Sequence, residues 1–157
     1  MVEYSSFHRV YFDPRRPDLK FSTRARYGMR AMLDLAVNGE GGLVLLKDVA
    51  DRQGISKRYL EHMMTLLRNN GLVVAERGAR GGYRLARRPE EIRLDEIFEA
   101  LEGEVAPVEC VRDASICERA DDCVVRDLWC DVTRAIRGVL EGETLADLKR
   151  RFERKTK

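Results

Sequence analysis

Four cysteines, Cys110, Cys117, Cys123 and Cys130, carry the most reactive chemistry in this 157-residue chain, and all lie within one stretch of 21 residues. The gaps between them are six, five and six residues, unlike the two-residue gaps that pair thiols in common structural zinc sites. No apolar run is long enough to span a membrane, and the N-terminus lacks the apolar core of a secretory signal. A cytoplasmic protein is therefore expected, and in that reducing compartment clustered thiols point to metal or redox chemistry before disulfides. Thiolates on a loop suit an iron-sulfur cluster, 2Fe-2S or 4Fe-4S, whose loss or oxidation changes the order of the loop. Structural zinc and a thiol redox switch are the alternatives.

Cys130 stands apart from the other three. If it shared one helix with Cys123, the two would lie about 10 Å apart along the axis, too far for adjacent ligands of one cluster. Beside Trp129 it reads first as a packed apolar side chain, and as a fourth ligand only if the helix starts after Cys123 or a partner subunit supplies it. The acids around it, Glu109, Asp113, Glu118, Asp121, Asp122 and Asp127, read as solvated, with one carboxylate available to complete a site.

The second set of chemical groups is basic. The chain as a whole has a net charge of only +2, but residues 19–89 carry +8 and residues 90–130 carry −9. The basic part contains helical periodicity from a Ser22 or Thr23 cap to Asn38, a compact helix from about Lys47 to Gln53, a Gly54 turn, and a third helix capped by Ser56 and running to about Asn69. In that third helix Leu60, Met63, Met64 and Leu67 share one face, and Lys57, Arg58, Glu61, His62, Thr65 and Arg68 lie largely on the other. Two short aliphatic segments, 72–75 and 83–85, flank a glycine-rich basic tip and read as a hairpin. Two helices joined by a Gly-centred turn and followed by a basic hairpin form a winged helix-turn-helix.

Such a fold exposes donor-rich side chains at the N-terminal end of its second helix, where they reach base edges in the major groove of double-stranded DNA. Ser56, Arg58, Tyr59, Glu61 and His62 are the candidates there. Arg77 and Arg80 on the wing suit the minor groove or the phosphate backbone. An acid on a basic DNA face weakens phosphate attraction unless it accepts from a cytosine amine, so Glu61 reads as a base-selecting residue. His62 reads equally well as an ordinary surface histidine.

Beyond the wing, a helix is expected over about 94–101, then the cysteine segment, then a helix over about 124–140. The apolar residues of this last helix, Val125, Leu128, Trp129, Val132, Ile136, Val139 and Leu140, are nearly heptad-spaced, which suits packing between two subunits. Thr144 caps a short helix through Leu148, and 149–157 reads as a basic tail. Residues 1–18, with Pro14 and Pro17, read as a tail or a product of an upstream start site. The fold class is mainly α with a small β-hairpin wing, divided into a DNA-binding domain over 19–89 and a cluster-binding and dimerisation part over 90–148.

The stretches LKFSTRARYGMRAMLDLA, LLKDVADRQGISKRYLEHMMTLLRNNGLV and RGARGGYRLA resemble the Rrf2 family of winged-helix transcription regulators, over about residues 19–148. The resemblance to its cysteine-containing branch, typified by IscR, NsrR and RirA, implies a homodimer crossed through the long helix that binds palindromic promoter DNA. It also implies that Ser56, Arg58, Tyr59, Glu61 and His62 face DNA, that Glu61 governs site choice, that Arg77 is the wing arginine, and that Cys110, Cys117 and Cys123 ligate the cluster. The pattern breaks at the fourth ligand. Arg126 stands where IscR has a histidine, and Arg26 where NsrR has an aspartate contributed by the partner subunit, and a guanidinium cannot ligate.

The function expected is therefore a dimeric regulator whose promoter binding depends on an iron-sulfur cluster. The alternatives are a relative that senses through a partner protein or thiol switch, as in the CymR branch, and a metal-binding or electron-transfer protein on the same fold. No enzyme is expected. Neither His8 nor His62 lies near a recognisable nucleophile, and no phosphate-cradling glycine loop is present.

Overall fold

The computed structural model describes residues 21–40, 42–78 and 81–156. The segment 1–18 and Arg80 at the hairpin tip lie outside the described residues. Helix α1, Thr23–Asn38, is capped by Ser22, whose hydroxyl oxygen accepts from the Ala25 N–H at 3.2 Å. A carboxylate oxygen of Glu102 accepts from the same N–H at 3.2 Å, and the Ser22 hydroxyl also donates to it. The start of α1 is thus closed by a residue 80 positions away in sequence, satisfying N–H groups that no helix can satisfy within itself.

Helix α2, Leu46–Gln53, ends at Gly54, whose φ of 62° is left-handed and costs a glycine little. Helix α3, Lys57–Asn69, begins three residues later, with the Ser56 hydroxyl accepting from the Tyr59 N–H at 3.3 Å. Strands β1, Val73–Glu76, and β2, Gly82–Leu85, pair antiparallel with Val73 opposite Leu85 and Glu76 opposite Gly82. Val44 adds a third edge through two 2.8 Å backbone hydrogen bonds with Tyr83, so the wing is tied to the entry of α2. A 3-10 turn at Pro89–Glu91 leads to α4, Leu94–Glu102; α5, Glu109–Arg112, a second 3-10 turn at Ala114–Ile116, α6, Val124–Glu141, and α7, Leu145–Lys155, complete the described chain.

One core joins these elements. Ala31, Met32 and Leu35 of α1, Leu60, Met63, Met64 and Leu67 of α3, Ile97 and Leu101 of α4 and Leu145 of α7 are all buried together, and each fully buried Leu, Ile or Met among them adds about 1.5–3 kcal/mol of hydrophobic stabilisation. A smaller cluster of Ala25, Phe98 and Val105 is covered by Ile136 and Leu140 of α6. Reciprocal backbone bonds, Leu94 N–H to the Glu143 carbonyl at 3.0 Å and Leu145 N–H to the Ile92 carbonyl at 2.8 Å, fasten the start of α7 beside that of α4.

The helix boundaries match the expectations closely up to α6. At the C-terminus they differ, because α7 continues to Lys155 where a basic tail is expected after Leu148. Residues 149–155 are Lys, Arg, Glu and Phe without glycine or proline, good helix formers once the Thr144–Asp147 capping box has nucleated the first turn. The cysteine segment also holds more local structure than a loop, in α5 and the second 3-10 turn.

Gly28 sets the approach of α1 to α4. A Cβ at this position would lie 2.4 and 2.8 Å from the two δ-methyls of Leu101, and Leu101 is itself buried in the core. Gly28→Val is expected to lower stability by about 1–3 kcal/mol through overpacking, read as a lower denaturant midpoint at unchanged slope; an unchanged midpoint would show that Leu101 moves aside freely.

Candidate nucleic-acid interface and cysteine segment

Burial of one face of α3 leaves Ser56, Lys57, Arg58, Glu61 and His62 exposed at its N-terminal end. Lys57 and Glu61 form an i,i+4 ion pair at 3.8 Å, both side chains mostly exposed; such a pair adds little to stability and leaves each group free to exchange partners. Tyr59 is half-buried, its ring edge-on to Tyr27 of α1 with centroids 6.2 Å apart. Arg77 is exposed where β1 ends, just before Gly78 at φ 119°, and across the hairpin Arg84 lies 3.5 Å from Glu76. The predicted DNA-face residues of α3 thus share one end of that helix, with Arg77 on the neighbouring hairpin. Lys57 belongs to the same exposed surface, and its place in the first turn beside the Ser56 cap is the signal that marks it.

Of the four cysteines, Cys110 lies in α5, Cys117 ends the second 3-10 turn, and Cys123 is the N-cap of α6 with an extended backbone. Cys130, seven residues beyond Cys123 in the chain, is half-buried on α6, which starts after Cys123. All four are free thiols, and Cys117 is exposed. In kind, Cys110, Cys117 and Cys123 fit three of the four donors of an iron-sulfur cluster. They are not gathered: among the described residues no three His, Cys, Asp or Glu side chains stand close enough together to hold a metal ion.

Two contacts shape this segment. The Arg126 Nε donates to the Cys110 carbonyl at 2.8 Å, pinning α5 to the first turn of α6. Asp113 accepts from both the Ser115 hydroxyl at 2.7 Å and the Ser115 N–H at 2.9 Å, and these bonds, the hydroxyl's foremost, hold its carboxyl below the usual range. Asp113 is thereby engaged in capping the 3-10 turn.

Helix α6 buries little of its own apolar surface. Val124, Val125, Leu128 and Val139 are 77%, 55%, 54% and 61% exposed. Beside Val139, an apolar groove of about 360 Å³ runs between α1, α4 and α6, lined by Phe21, Ala25, Met29, Phe98 and Ile136. No helix among the described residues is long and apolar enough to cross a membrane.

The family model of Rrf2 proteins, described as iron-dependent transcriptional regulators, matches residues 21–151. The chain is 42% identical to protein rrf2 of Nitratidesulfovibrio vulgaris over 132 residues, covering 84% of this chain and 88% of that protein. It is 38% identical to the HTH-type transcriptional regulator IscR of Cronobacter sakazakii over 130 residues, covering 83% and 80%. Among solved structures, T. potens IscR matches with a TM-score of 0.74 at 39% identity, covering 88% of this chain and 92% of that one. CymR, the global cysteine regulator of B. subtilis, matches with a TM-score of 0.70 at 40% identity, covering 84% and 97%. The winged fold, the free polar end of α3 and these likenesses converge on regulators rather than enzymes, and the chain belongs to the Rrf2 family of DNA-binding transcription regulators.

Proposed function

We propose that this protein is a cytoplasmic homodimer that binds double-stranded promoter DNA with an affinity set by an iron-sulfur cluster on Cys110, Cys117 and Cys123. The observation that carries the reading is the placement of three free thiols in the segment that runs directly into α6, together with likeness to IscR over most of both chains. When bound, the cluster supplies a group whose loss or oxidation changes the order of the segment that holds it.

The chain's own residues do the rest. Ser56, Arg58, Tyr59, Glu61 and His62 read bases from the N-terminal end of α3, and Arg77 with Arg80 holds the backbone or minor groove. The exposed valines and Leu128 of α6 cover the same face of a second copy, because an unpartnered apolar stripe of this length is unfavourable in water. Two-fold pairing sets two recognition helices against half-sites about one DNA turn apart. A second reading, sensing through a thiol switch or a partner protein, is supported by the ungathered thiols, by Arg126 at the fourth-ligand position and by the likeness to CymR.

Three measurements test this. Anaerobically purified protein should be brown, contain iron and sulfide, and change its promoter affinity on bleaching in air, and Cys→Ala at Cys110, Cys117 or Cys123 should abolish the visible absorbance. A colourless, iron-free protein that binds DNA tightly after attempted reconstitution would move the thiols to switching, zinc or packing. Leu128→Glu with Val139→Glu should convert dimers to monomers in sedimentation; dimers that persist would place the interface elsewhere. Arg77→Ala should weaken binding to all sequences alike and reduce the salt slope by about 1, and an unaltered slope would remove the wing contact.

A further inference from the structure

We propose that Asp34 and Gln53, which lie off the DNA face, are positioning residues that fix the tilt of the recognition helix α3 and so set sequence selectivity. The proposal rests on the reading of α3 as the base-contacting helix.

Asp34 lies on α1 with its side chain 1% exposed. A carboxylate taken that far out of water requires partners, and among the described residues its side-chain partners are the last two residues of α2. The Arg52 Nε and Nη2 donate to it at 3.0 and 2.6 Å, and the Gln53 Nε2 donates at 2.8 Å. The hydrogen bond to Asp34 is the foremost cause that raises the Arg52 guanidinium above its ordinary value.

Gln53 then passes the constraint on. Its Oε1 accepts from the Arg30 Nε at 3.0 Å and its carbonyl from the Arg30 Nη2 at 2.5 Å. The Arg30 guanidinium lies 5.5 Å from the centre of the Tyr27 ring, and Tyr27 meets Tyr59 of α3 edge-on at 6.2 Å. Anchored on Asp34, the contacts Gln53–Arg30–Tyr27–Tyr59 thus run from the end of α2 across α1 to the first turn of α3, and the backbone of residues 53–59 closes them into a ring. It encloses the left-handed turn at Gly54, the hinge about which α3 would swing.

The apolar core supplies only part of this restraint. Ile55 and Leu60 are buried in it and Tyr59 packs against it, but Ser56, Lys57 and Arg58 are exposed, and hydrophobic packing is non-directional. Bidentate recognition of a base depends on angle as well as distance. A ring of directional contacts around the hinge supplies that angle.

The test uses the full-length chain and the operator that it selects from a library of random duplexes. Gln53→Ala leaves the Asp34–Arg52 pair in place, and Tyr27→Leu removes the ring. Each is expected to lower affinity for the operator about tenfold, within the range that one base contact contributes, while affinity for a scrambled duplex and the salt slope stay as in the wild type. Tyr27→Phe, which keeps the ring edge, should restore operator affinity. Equal losses on both duplexes, or no loss on either, would overturn the proposal. A DNA-free readout separates it from the reading it rests on: amide exchange at Tyr59 and Leu60, whose N–H groups are bonded to Ser56, should accelerate about tenfold in Gln53→Ala at an unchanged melting temperature, consistent with loosening of one local unit. Unaltered exchange overturns the proposal even if operator binding is intact, whereas accelerated exchange in a chain that selects no operator sinks the base-reading role alone.

Discussion

The fold depends on the burial of one face of α3. Leu60, Met63, Met64 and Leu67 are at most 1% exposed, and with a 3.6-residue period four such residues determine which side of the helix is left to solvent. The polar residues at the N-terminal end are free because these four are not. The core around them draws on α1, α4 and α7, so elements distant in sequence serve to hold one short helix with its N-terminus outward. The wing is attached to the same body through Val44 and Tyr83, which keeps Arg77 on the same body as α3.

Much of this is legible in the sequence because local signals and tertiary demands agree. Ser22, Ser56 and Thr144 act as the caps their residue types suggest, and Gly54 takes the positive φ that the turn between α2 and α3 requires. The end of α7 is missed because a run of charged residues reads as solvated tail, whereas Lys, Arg and Glu are also good helix formers once a capped first turn exists. The circuit around Asp34 is missed for a different reason. Asp34 and Arg52 lie 18 residues apart, and no local periodicity marks an acid on α1 as buried; only the approach of α2 shows that it is. Lys57 is legible both as part of the polar face and as the residue that follows the Ser56 cap.

The candidate cysteine site is legible as a donor set and illegible as a geometry. Three thiols with gaps of six and five residues can be drawn together by loops in many ways, and sequence spacing constrains ligands well only when both fall within one turn or helix. Here Cys110 lies in a one-turn helix, Cys117 follows a 3-10 turn and Cys123 caps a long helix. Each thiol has its own local backbone, so their relative placement is set by the connections between these pieces.

Those connections indicate where a change in the segment must act. Arg126 holds the Cys110 carbonyl from the first turn of α6, and Cys123 caps the same turn, so both ends of the thiol segment are joined to the beginning of one helix. At its other end α6 packs Ile136 and Leu140 over Ala25 of α1 and Phe98 of α4, beside the groove that Val139 also lines. Rigid helices transmit displacement along their length, and packed side chains respond in discrete rearrangements more readily than by gradual yielding. Any reordering of residues 110–123 would therefore bear first on the N-terminal turn of α6 and then on α1 and α4, both of which pack on α3. The acidic thiol segment and the basic winged-helix part are separate in charge and in sequence, and α6 lies between them with its contacts on both helices.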